Sequence, residues 1–283
     1  MRFWWVYFAI SLSVLIPGVS SLIKNGLKLG IDFTGGSSIS WIAPSLTKES
    51  IVEAFENQNI SVSSVTLQGE MTTITTPPID RNDYSQVLFK VKDSEGFKEL
   101  SFDTVGPSLG AELIKKTFYG IAAAASLILL YVAYRFKNFK FGVSAIIAML
   151  HDLFVVLGIF SLLGKYAHVE VDTLFVTALL TILSFSVHDT IVVFDRVREI
   201  KKQHAYLTFE EITNRAVVET MARSINNSMT IIFMLLAMYL LGGTTIKWFI
   251  LALLVGTASG TYSSTFTAAP ILVIWERLSK KLR

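Results

Sequence analysis

Residues 171–194 read VDTLFVTALLTILSFSVHDTIVVF, and this stretch decides the class of fold. It is longer than the roughly 20 predominantly apolar residues that an α-helix needs to cross a membrane. Apolar and hydroxyl-bearing side chains fill it, apart from two aspartates and one histidine. The stretch therefore predicts a membrane-spanning helix that carries ionisable side chains.

Five other stretches have the length and composition of membrane-spanning helices: 3–23, 117–134, 141–163, 224–241 and 248–275. Of the 283 residues, 52% are hydrophobic and 17% charged, against about 25% charged in a typical soluble domain. The first stretch is too long for the apolar core of a signal peptide, about 7–15 residues, and no small-residue cleavage site is evident. We therefore predict an integral membrane protein with six transmembrane helices, the first of them retained.

Composition excludes several classes of function. The formal net charge is only +3, whereas nucleic-acid-binding proteins concentrate basic surface. The chain has no cysteine, which excludes disulfides, thiolate catalysis and cysteine metal sites. It contains no Walker motif, no nucleophile elbow and no metal-ligand spacing. We therefore expect neither an enzyme nor a nucleic-acid partner, and neither a metal nor another cofactor.

Lysine and arginine lie mostly on one side of the predicted helices. They are Arg2, Arg135, Lys137, Lys140, six residues between the fourth and fifth helices, Arg277, Lys280, Lys281 and Arg283. The two short loops on the opposite side carry only Lys165 and Lys247. Because cytoplasmic loops carry an excess of lysine and arginine, we expect both termini in the cytoplasm.

Residues 24–116, between the first two helices, have the pattern of a small folded domain on the outer side. Alternating apolar residues predict a strand at 36–42, and Gly69-Glu70 splits two short runs as a hairpin does. Thr47 and Asp80 each precede a segment with helical periodicity. The predicted order β-α-β-β-α-β is that of a ferredoxin-like α+β domain, which we interpret as a binding or docking module.

The stretch Asp32-Phe33-Thr34-Gly35-Gly36 stands just before the first predicted strand. Paired glycines allow the backbone to take a positive φ or to approach a neighbour closely. From the residues alone we favour a turn that feeds the strand over a binding site. The predicted organisation is thus a first helix at 1–23, the outer domain at 24–116 and a helical part at 117–283.

Ionisable residues lie inside two of the predicted membrane helices. His151 and Asp152 are at the middle of the third helix, and His188 and Asp189 are in the fourth. Such groups cost roughly 2.5–3.5 kcal/mol each on insertion scales, so they are functional candidates. Arg223 opens the fifth helix, and hydropathy alone favours a border residue whose charge reaches the interface. A buried pair of Arg223 with a carboxylate leaves two interpretations open, a proton relay and a fixed structural pair.

Polar and small residues also have helical spacing. A polar stripe that must face protein or water follows the fourth helix at Thr177, Thr181, Ser184 and His188. Gly256 and Gly260 predict close helix packing, which includes packing against another subunit. A capping box at Thr208 predicts an amphipathic helix near 208–222 on the cytoplasmic face.

Four segments occur in order along the chain: GIDFTGG at 30–36, VGPSLGAEL at 105–113, HDTIVVFDRVRE at 188–199 and RSINNS at 223–228. With six helices and one outer domain, the chain resembles the SecF branch of the SecD/SecF protein-export family, within the resistance-nodulation-division superfamily, over nearly its whole length. The resemblance implies a subunit of the bacterial cytoplasmic membrane that works with SecD and the SecYEG translocon. It further implies use of the proton motive force to promote preprotein translocation, with YajC and YidC as further partners.

The same resemblance assigns roles to single residues. Asp189 matches the essential carboxylate of helix 4 and Arg223 the arginine of helix 5, which form the proton path with an aspartate of SecD. Asp152 matches a recurrent aspartate of helix 3, and with His151 it is a candidate for the proton path or for helix packing. His188 departs from the family, which more often has Asn there. Since imidazole titrates near neutrality, His188 either shares the proton or only donates a hydrogen bond.

Two other functions compete with an export subunit. One is a small-substrate exporter of the same superfamily, which is disfavoured because such pumps have large external domains, whereas this one has only about 90 residues. The other is a purely structural subunit of the translocon without proton coupling. The sequence leaves this second alternative open.

Overall fold

The computed structural model describes residues 3–136 and 139–281, so Arg2, Lys137 and Arg283 of the predicted basic side lie outside the described residues. The first half contains α1 (Trp4–Asn25), α2 (Ile31–Thr34), β1 (Gly36–Ile42), α3 (Lys48–Glu56), β2 (Ser64–Gln68), β3 (Met71–Thr76), α4 (Arg81–Val91) and β4 (Lys98–Val105). The second half contains α5 (Pro107–Phe136), α6 (Phe139–Ala167), α7 (Thr173–Gln203), α8 (Phe209–Leu241), α9 (Lys247–Ser263), a π-helical segment (Ser264–Ala268) and α10 (Ala269–Lys281).

The chain forms two compact units. Met1–Lys28 and Gly120–Arg283 make the first, here called the membrane unit, and Leu29–Tyr119 makes the second, here called the α+β unit. Six helical stretches of the described chain are long and apolar enough to cross a membrane, which confirms the predicted class of fold. The sixth, Thr244–Ser279, is not one regular helix, because the π-helical segment separates α9 from α10.

The amphipathic helix predicted near 208–222 is not a separate element. Thr208 forms the predicted capping box with Glu211, but the helix that begins there continues without a break to Leu241. The stretch contains neither glycine nor proline, so nothing in it ends the helix or releases the backbone hydrogen bonds. The predicted surface helix and the fifth membrane helix are therefore the two ends of α8.

The α+β unit contains a four-stranded antiparallel sheet in the order β2-β3-β1-β4. β1 and β2 follow each other through α3 but have β3 between them, which is a split β-α-β connection. The fully buried Trp41 lies in the core, where its indole Nε1 donates a hydrogen bond to the Tyr84 hydroxyl over 2.9 Å. Burial raises the pKa of Tyr84 to about 12, so this hydroxyl stays neutral at physiological pH.

The interior of the membrane unit is built around α6, α7 and α9. α1 packs on α6 where Gly18 meets Gly158, and a Cβ atom on Gly158 would lie 2.6 Å from the Cα atom of Gly18. Glycine is needed there because the two helix backbones touch. Gly256 of α9 packs against Ile182 of α7, so the predicted small-residue packing of this helix occurs within the chain.

Candidate functional site

α7 positions polar residues on two different faces. Its first turn is capped by Asp172, whose carboxylate accepts a hydrogen bond from the Phe175 amide over 2.8 Å. Side chains three residues apart share a helix face, so Ser186 and Asp189 point the same way, and both are buried. His188 lies on a face that is exposed in this chain. The neighbours His188 and Asp189 therefore have different surroundings.

Asp152 of α6 is fully buried and accepts hydrogen bonds on both oxygens. Its Oδ2 atom accepts from the hydroxyls of Ser186 and Ser263, each over 2.6 Å. Its Oδ1 atom accepts from the Ser259 hydroxyl over 2.6 Å and lies 3.0 Å from His151 Nδ1. An ionised carboxylate has about four lone-pair sites. The acceptor sites of the Asp152 carboxylate therefore all have partners within the chain, and these contacts join α6, α7 and α9.

Asp189 of α7 is also buried, at 5% exposure, but its carboxylate has fewer donors. The Oδ2 atom accepts from the hydroxyls of Ser224 in α8 and Ser264 in the π-helical segment, over 2.6 and 2.7 Å. Within the described residues, Oδ1 has no hydrogen-bond donor and no cationic side chain pairs with this carboxylate. Half of the acceptor sites of Asp189 are thus open to a proton or to another group.

Ser263 and Ser264 are consecutive, yet they bind different carboxylates, Asp152 and Asp189 respectively. Adjacent side chains on an α-helix point about 100° apart, and at this point α9 gives way to the π-helical segment. π-Helical turns inside α-helices are frequent at functional sites. The junction therefore links the two buried carboxylates through neighbouring residues.

Arg223 does not form the buried ion pair with Asp189 that the sequence suggests. Its side chain is exposed and lines a cleft of about 670 Å³ together with Asp195, Glu199 and Glu219. The reason is helical geometry, because the next residue, Ser224, faces Asp189 and Arg223 points about 100° away. In the conformation described, the arginine lies at a surface of the membrane unit.

The predicted polar stripe on α7 is exposed over its whole length, at Thr177, Thr181, Ser184 and His188. Two of its hydroxyls are satisfied within the helix, since Thr177 donates to the Thr173 carbonyl and Thr181 to the Thr177 carbonyl. The stripe and Arg223 are thus polar surface on helices that are otherwise apolar enough to cross a membrane.

The motif at 32–36 runs from the single-turn helix α2, which contains Asp32, Phe33 and Thr34, into β1, which begins at Gly36. Gly35 and Gly36 have φ of +72° and +129°, a region that favours glycine. A Cβ atom on Gly35 would lie 2.8 Å from the Cα atom of Pro107, so the motif packs directly on the start of α5. In the rest of the motif, Asp32 is half-buried, Phe33 is buried and Thr34 is exposed. Backbone geometry therefore accounts for both glycines, and the choice between a turn and a binding site stays a prediction.

Sequence reasoning did not assign the hydroxyl donors to the two carboxylates, which are Ser186, Ser224, Ser259, Ser263 and Ser264. Ser259 and Ser263 are four residues apart and share a helix face. The same spacing is typical of close helix packing. It indicates hydrogen-bond donors only once the position of the aspartate that they bind is known.

The fold and this site define a polytopic α-helical membrane protein with two buried, hydroxyl-bound carboxylates and an α+β unit between its first two long helices. The described residues contain no group of His, Asp or Glu that would hold a metal ion. A family model described as protein export membrane protein SecD/SecF, C-terminal, matches residues 84–278, and a SecD/SecF GG motif model matches residues 20–40. The chain belongs to the SecD/SecF family.

Named relatives agree with this assignment. The protein translocase subunit SecF of Thermobaculum terrenum is 45% identical over 98% of this chain and 93% of the relative. The SecF of Anaerolinea thermophila is 39% identical over 96% and 92% of the two chains. The SecDF of Bacillus subtilis is 34% identical over 95% of this chain but only 37% of its own length.

A solved structure has the same fold. The crystal structure of SecDF from Thermus thermophilus, described as a translocon-associated membrane protein, superposes with a TM-score of 0.87 at 31% identity. The match covers 98% of this chain, and this chain spans 39% of that protein. The relatives and the six apolar helices together indicate a multi-pass protein of the bacterial cytoplasmic membrane.

Proposed function

We propose that the chain is the SecF subunit of a protein-export accessory complex, which uses the proton motive force to promote preprotein translocation through SecYEG. Relatives carrying the name protein translocase subunit SecF match nearly their whole length. In the SecDF proteins the matching region makes up less than two fifths of one longer chain. We infer that a separate SecD protein corresponds to the remainder of those longer chains and is the direct partner of this chain.

The observation that carries the proposal is the half-complete carboxylate of Asp189. When ionised, it holds Ser224 of α8 and Ser264 of the π-helical segment. Protonation removes its charge and weakens both of these charge-assisted hydrogen bonds. A buried charge that changes in this way biases the packing of the helices that supply the donors. Loading and release of one proton therefore give two states of the contact between α7, α8 and the π-helical segment.

The energies are of matching size. One charge that crosses 100 mV supplies about 2.3 kcal/mol, while interhelical hydrogen bonds in membranes contribute roughly 0.6 kcal/mol on average and about 1.7 at most. A single proton therefore carries enough free energy to break and remake the two serine contacts of Asp189. Larger movements of the helices require further free energy from contacts with the partner subunit.

The exposed polar surface gives the partner a place to act. Arg223 and His188 are both exposed in this chain, and a carboxylate of SecD facing them would complete a proton path with Asp189. The excess of lysine and arginine on one side supports cytoplasmic termini and an outer α+β unit. The complex has no enzymatic activity in this proposal, and YajC, YidC and the preprotein are its further contacts.

The test is a pulse-chase assay of preprotein export in cells depleted of their own SecF and supplied with the Asp189→Asn variant. Asparagine keeps the size and the acceptor oxygen but cannot ionise. The control is Asp93→Asn, the same change at an exposed aspartate of the α+β unit. We expect normal membrane levels and normal copurification with SecD for both variants, with export lost only in Asp189→Asn.

One observation favours a second function, a structural subunit without proton coupling. The carboxylate of Asp152 accepts hydrogen bonds from donors of this chain and joins three helices. This is the arrangement expected of a residue that only stabilises helix packing. In that case Asp189→Asn supports export as well as Asp93→Asn does. That result would overturn the proton-coupled function and leave the partner surface as the functional part of the chain.

A further inference from the structure

The π-helical segment, Ser264–Ala268, contains a buried hydroxyl group without a partner. Thr267 is only 3% exposed, and its Oγ1 atom has no hydrogen-bond partner among the described residues. Its neighbour Ala268 belongs to the same apolar cluster as Ala145 and Ala148 of α6. A buried hydroxyl that lacks a partner costs free energy and is rare in folded proteins. The unpaired state of Thr267 therefore needs a physical reason.

The regular helices of this chain show what a threonine hydroxyl does in an α-helical turn. Six threonines donate to the carbonyl oxygen four residues earlier, over 2.8–3.1 Å: Thr177, Thr181, Thr190, Thr213, Thr220 and Thr261. The corresponding acceptor for Thr267 is the Ser263 carbonyl. In a π-helical turn the backbone hydrogen bonds span five residues instead of four, and the hydroxyl of Thr267 makes no bond to that carbonyl. The widened turn therefore accounts for the unpaired hydroxyl.

Both ends of the π-helical segment favour the widened turn. Pro270, the second residue of α10, follows the segment closely. In a regular α-helix a proline ring clashes with the carbonyl four residues earlier, here that of Phe266, and a widened turn relieves this clash. At the other end, the Ser264 hydroxyl donates to Asp189 over 2.7 Å. The contact of Ser264 with Asp189 is a side-chain hydrogen bond, so this end of the turn is the one that can be released.

We propose that Thr267 is a positioning residue of the export cycle, which stabilises a second state of this turn by donating a hydrogen bond to the Ser263 carbonyl. When Ser264 leaves Asp189, the backbone from Ser263 to Thr267 tightens to α-helical geometry. The extra residue of the turn is then accommodated closer to Pro270. One side-chain hydrogen bond is lost and one is gained. The proposal rests on the proposed function in one respect, namely that the contact of Ser264 with Asp189 breaks and re-forms in each cycle.

The helices on both sides of the turn are held by contacts that the second state does not use. In α9, Gly256 packs against Ile182 of α7. In α10, Glu276 pairs with Lys140 of α6 over 2.6 Å. A turn between two fixed ends changes its geometry locally, so few other contacts are lost. The hydroxyl of Thr267 is therefore the group whose pairing distinguishes the two states.

The first measurement is the thermal unfolding midpoint of the full-length chain in mixed micelles. Thr267→Val keeps the shape of the side chain and removes only the hydroxyl. The matched control is Thr213→Val, which removes a fully buried hydroxyl that donates to the Phe209 carbonyl over 2.8 Å. We expect Thr267→Val to raise the midpoint by about 2–4 °C, because an unpaired buried group is removed. Thr213→Val should lower it, because a hydrogen bond is lost.

The second measurement is preprotein export in SecF-depleted cells, compared at equal membrane levels of each variant. Thr267→Ser keeps the hydroxyl and removes the methyl group, so it separates hydrogen bonding from packing. We expect Thr267→Val to slow export by about five-fold, the factor that corresponds to one hydrogen bond lost from the second state. Thr267→Ser and Thr213→Val should support export at the rate of the unaltered chain. A more stable chain that exports more slowly is not expected of a residue that only packs.

Three results would overturn the proposal. A lower midpoint for Thr267→Val would show that the hydroxyl is already paired in the state described. Unchanged export by Thr267→Val would show that no second state uses the hydroxyl, and equal slowing by Thr267→Ser would assign the effect to packing. The midpoint is measured without SecD or preprotein, so it does not depend on proton coupling. The proposed function is tested separately by Asp189→Asn, and its failure would leave the order of the midpoints unchanged.

Discussion

The two buried carboxylates of the membrane unit differ in how far this chain satisfies them. Asp152 has three serine hydroxyls and His151 around its two oxygens, and it is fully buried. Asp189 has two hydroxyls on one oxygen. Since a buried carboxylate is costly unless its acceptor sites are used, the first is stable as an anion within the chain. The second has one oxygen that accepts no hydrogen bond within the described residues.

This difference separates a structural role from a switching role. A carboxylate that ties three helices with a full set of donors resists change, because each donor would lose its partner. A carboxylate with half its sites open changes its charge while fewer contacts are lost. In the proposed function, Asp152 is thus a fixed structural group and Asp189 the group that changes its charge, and the consecutive residues Ser263 and Ser264 bind one each.

The largest expected effect compares alanine at the two positions. Asp152→Ala removes the carboxylate acceptor of three buried serine hydroxyls, one of which also contacts the Gly260 carbonyl, and is expected to lower the free energy of unfolding by about 2–4 kcal/mol. Asp189→Ala removes the acceptor of two hydroxyls, one of which also contacts the Thr261 carbonyl, and is expected to cost about 1–2 kcal/mol. Denaturation in mixed micelles measures both. Equal losses would show that the two carboxylates are equivalent anchors.

Variants of the adjacent residues Ser263 and Ser264 should differ in the same way as variants of the carboxylates that these serines bind. Ser263→Ala and Ser264→Ala each remove one hydrogen bond to a buried carboxylate, worth roughly 0.6–1.7 kcal/mol of unfolding free energy. Only Ser264→Ala is expected to slow export, by about five-fold for a change of about 1 kcal/mol in the coupling. Export rates in SecF-depleted cells measure this. An equal slowing by Ser263→Ala would mean that the junction does not distinguish the two carboxylates.

Arg223→Gln and His188→Asn are expected to have the smallest effects on stability. Both side chains are exposed in this chain, so each change should alter the free energy of unfolding by less than about 0.5 kcal/mol. Copurification with SecD is the second readout, because a partner at this surface would lose a contact with either variant. A stability loss as large as that of Asp152→Ala would place these residues inside the packed core.

The class of fold follows from the sequence because long apolar runs and alternating apolar residues are local signals. The six helices and the order of strands and helices in the α+β unit are therefore correctly predicted. The extent of α8 is not, since an amphipathic start and an apolar continuation resemble two elements although no residue separates them. Element order was thus easier to predict than where an element ends.

The site is less predictable than the fold. Asp152 and Asp189 stand out because charge is costly in apolar helices, but their donors are serines from helices far away in sequence. The sequence also suggests that Asp189 pairs with Arg223. In the structure the next residue, Ser224, faces Asp189 instead. Which of two adjacent side chains faces a neighbouring helix depends on packing, and composition does not reveal it.

In the function proposed above, Asp189 is the proton-binding carboxylate of the export cycle. Proton flux into membrane vesicles that contain this chain and its SecD partner, followed with a pH-sensitive dye under an imposed potential, tests it most directly. We expect flux with the unaltered chain and with Asp93→Asn, and none above the background of empty vesicles with Asp189→Asn. Undiminished flux with Asp189→Asn would contradict it and would assign this carboxylate to helix packing.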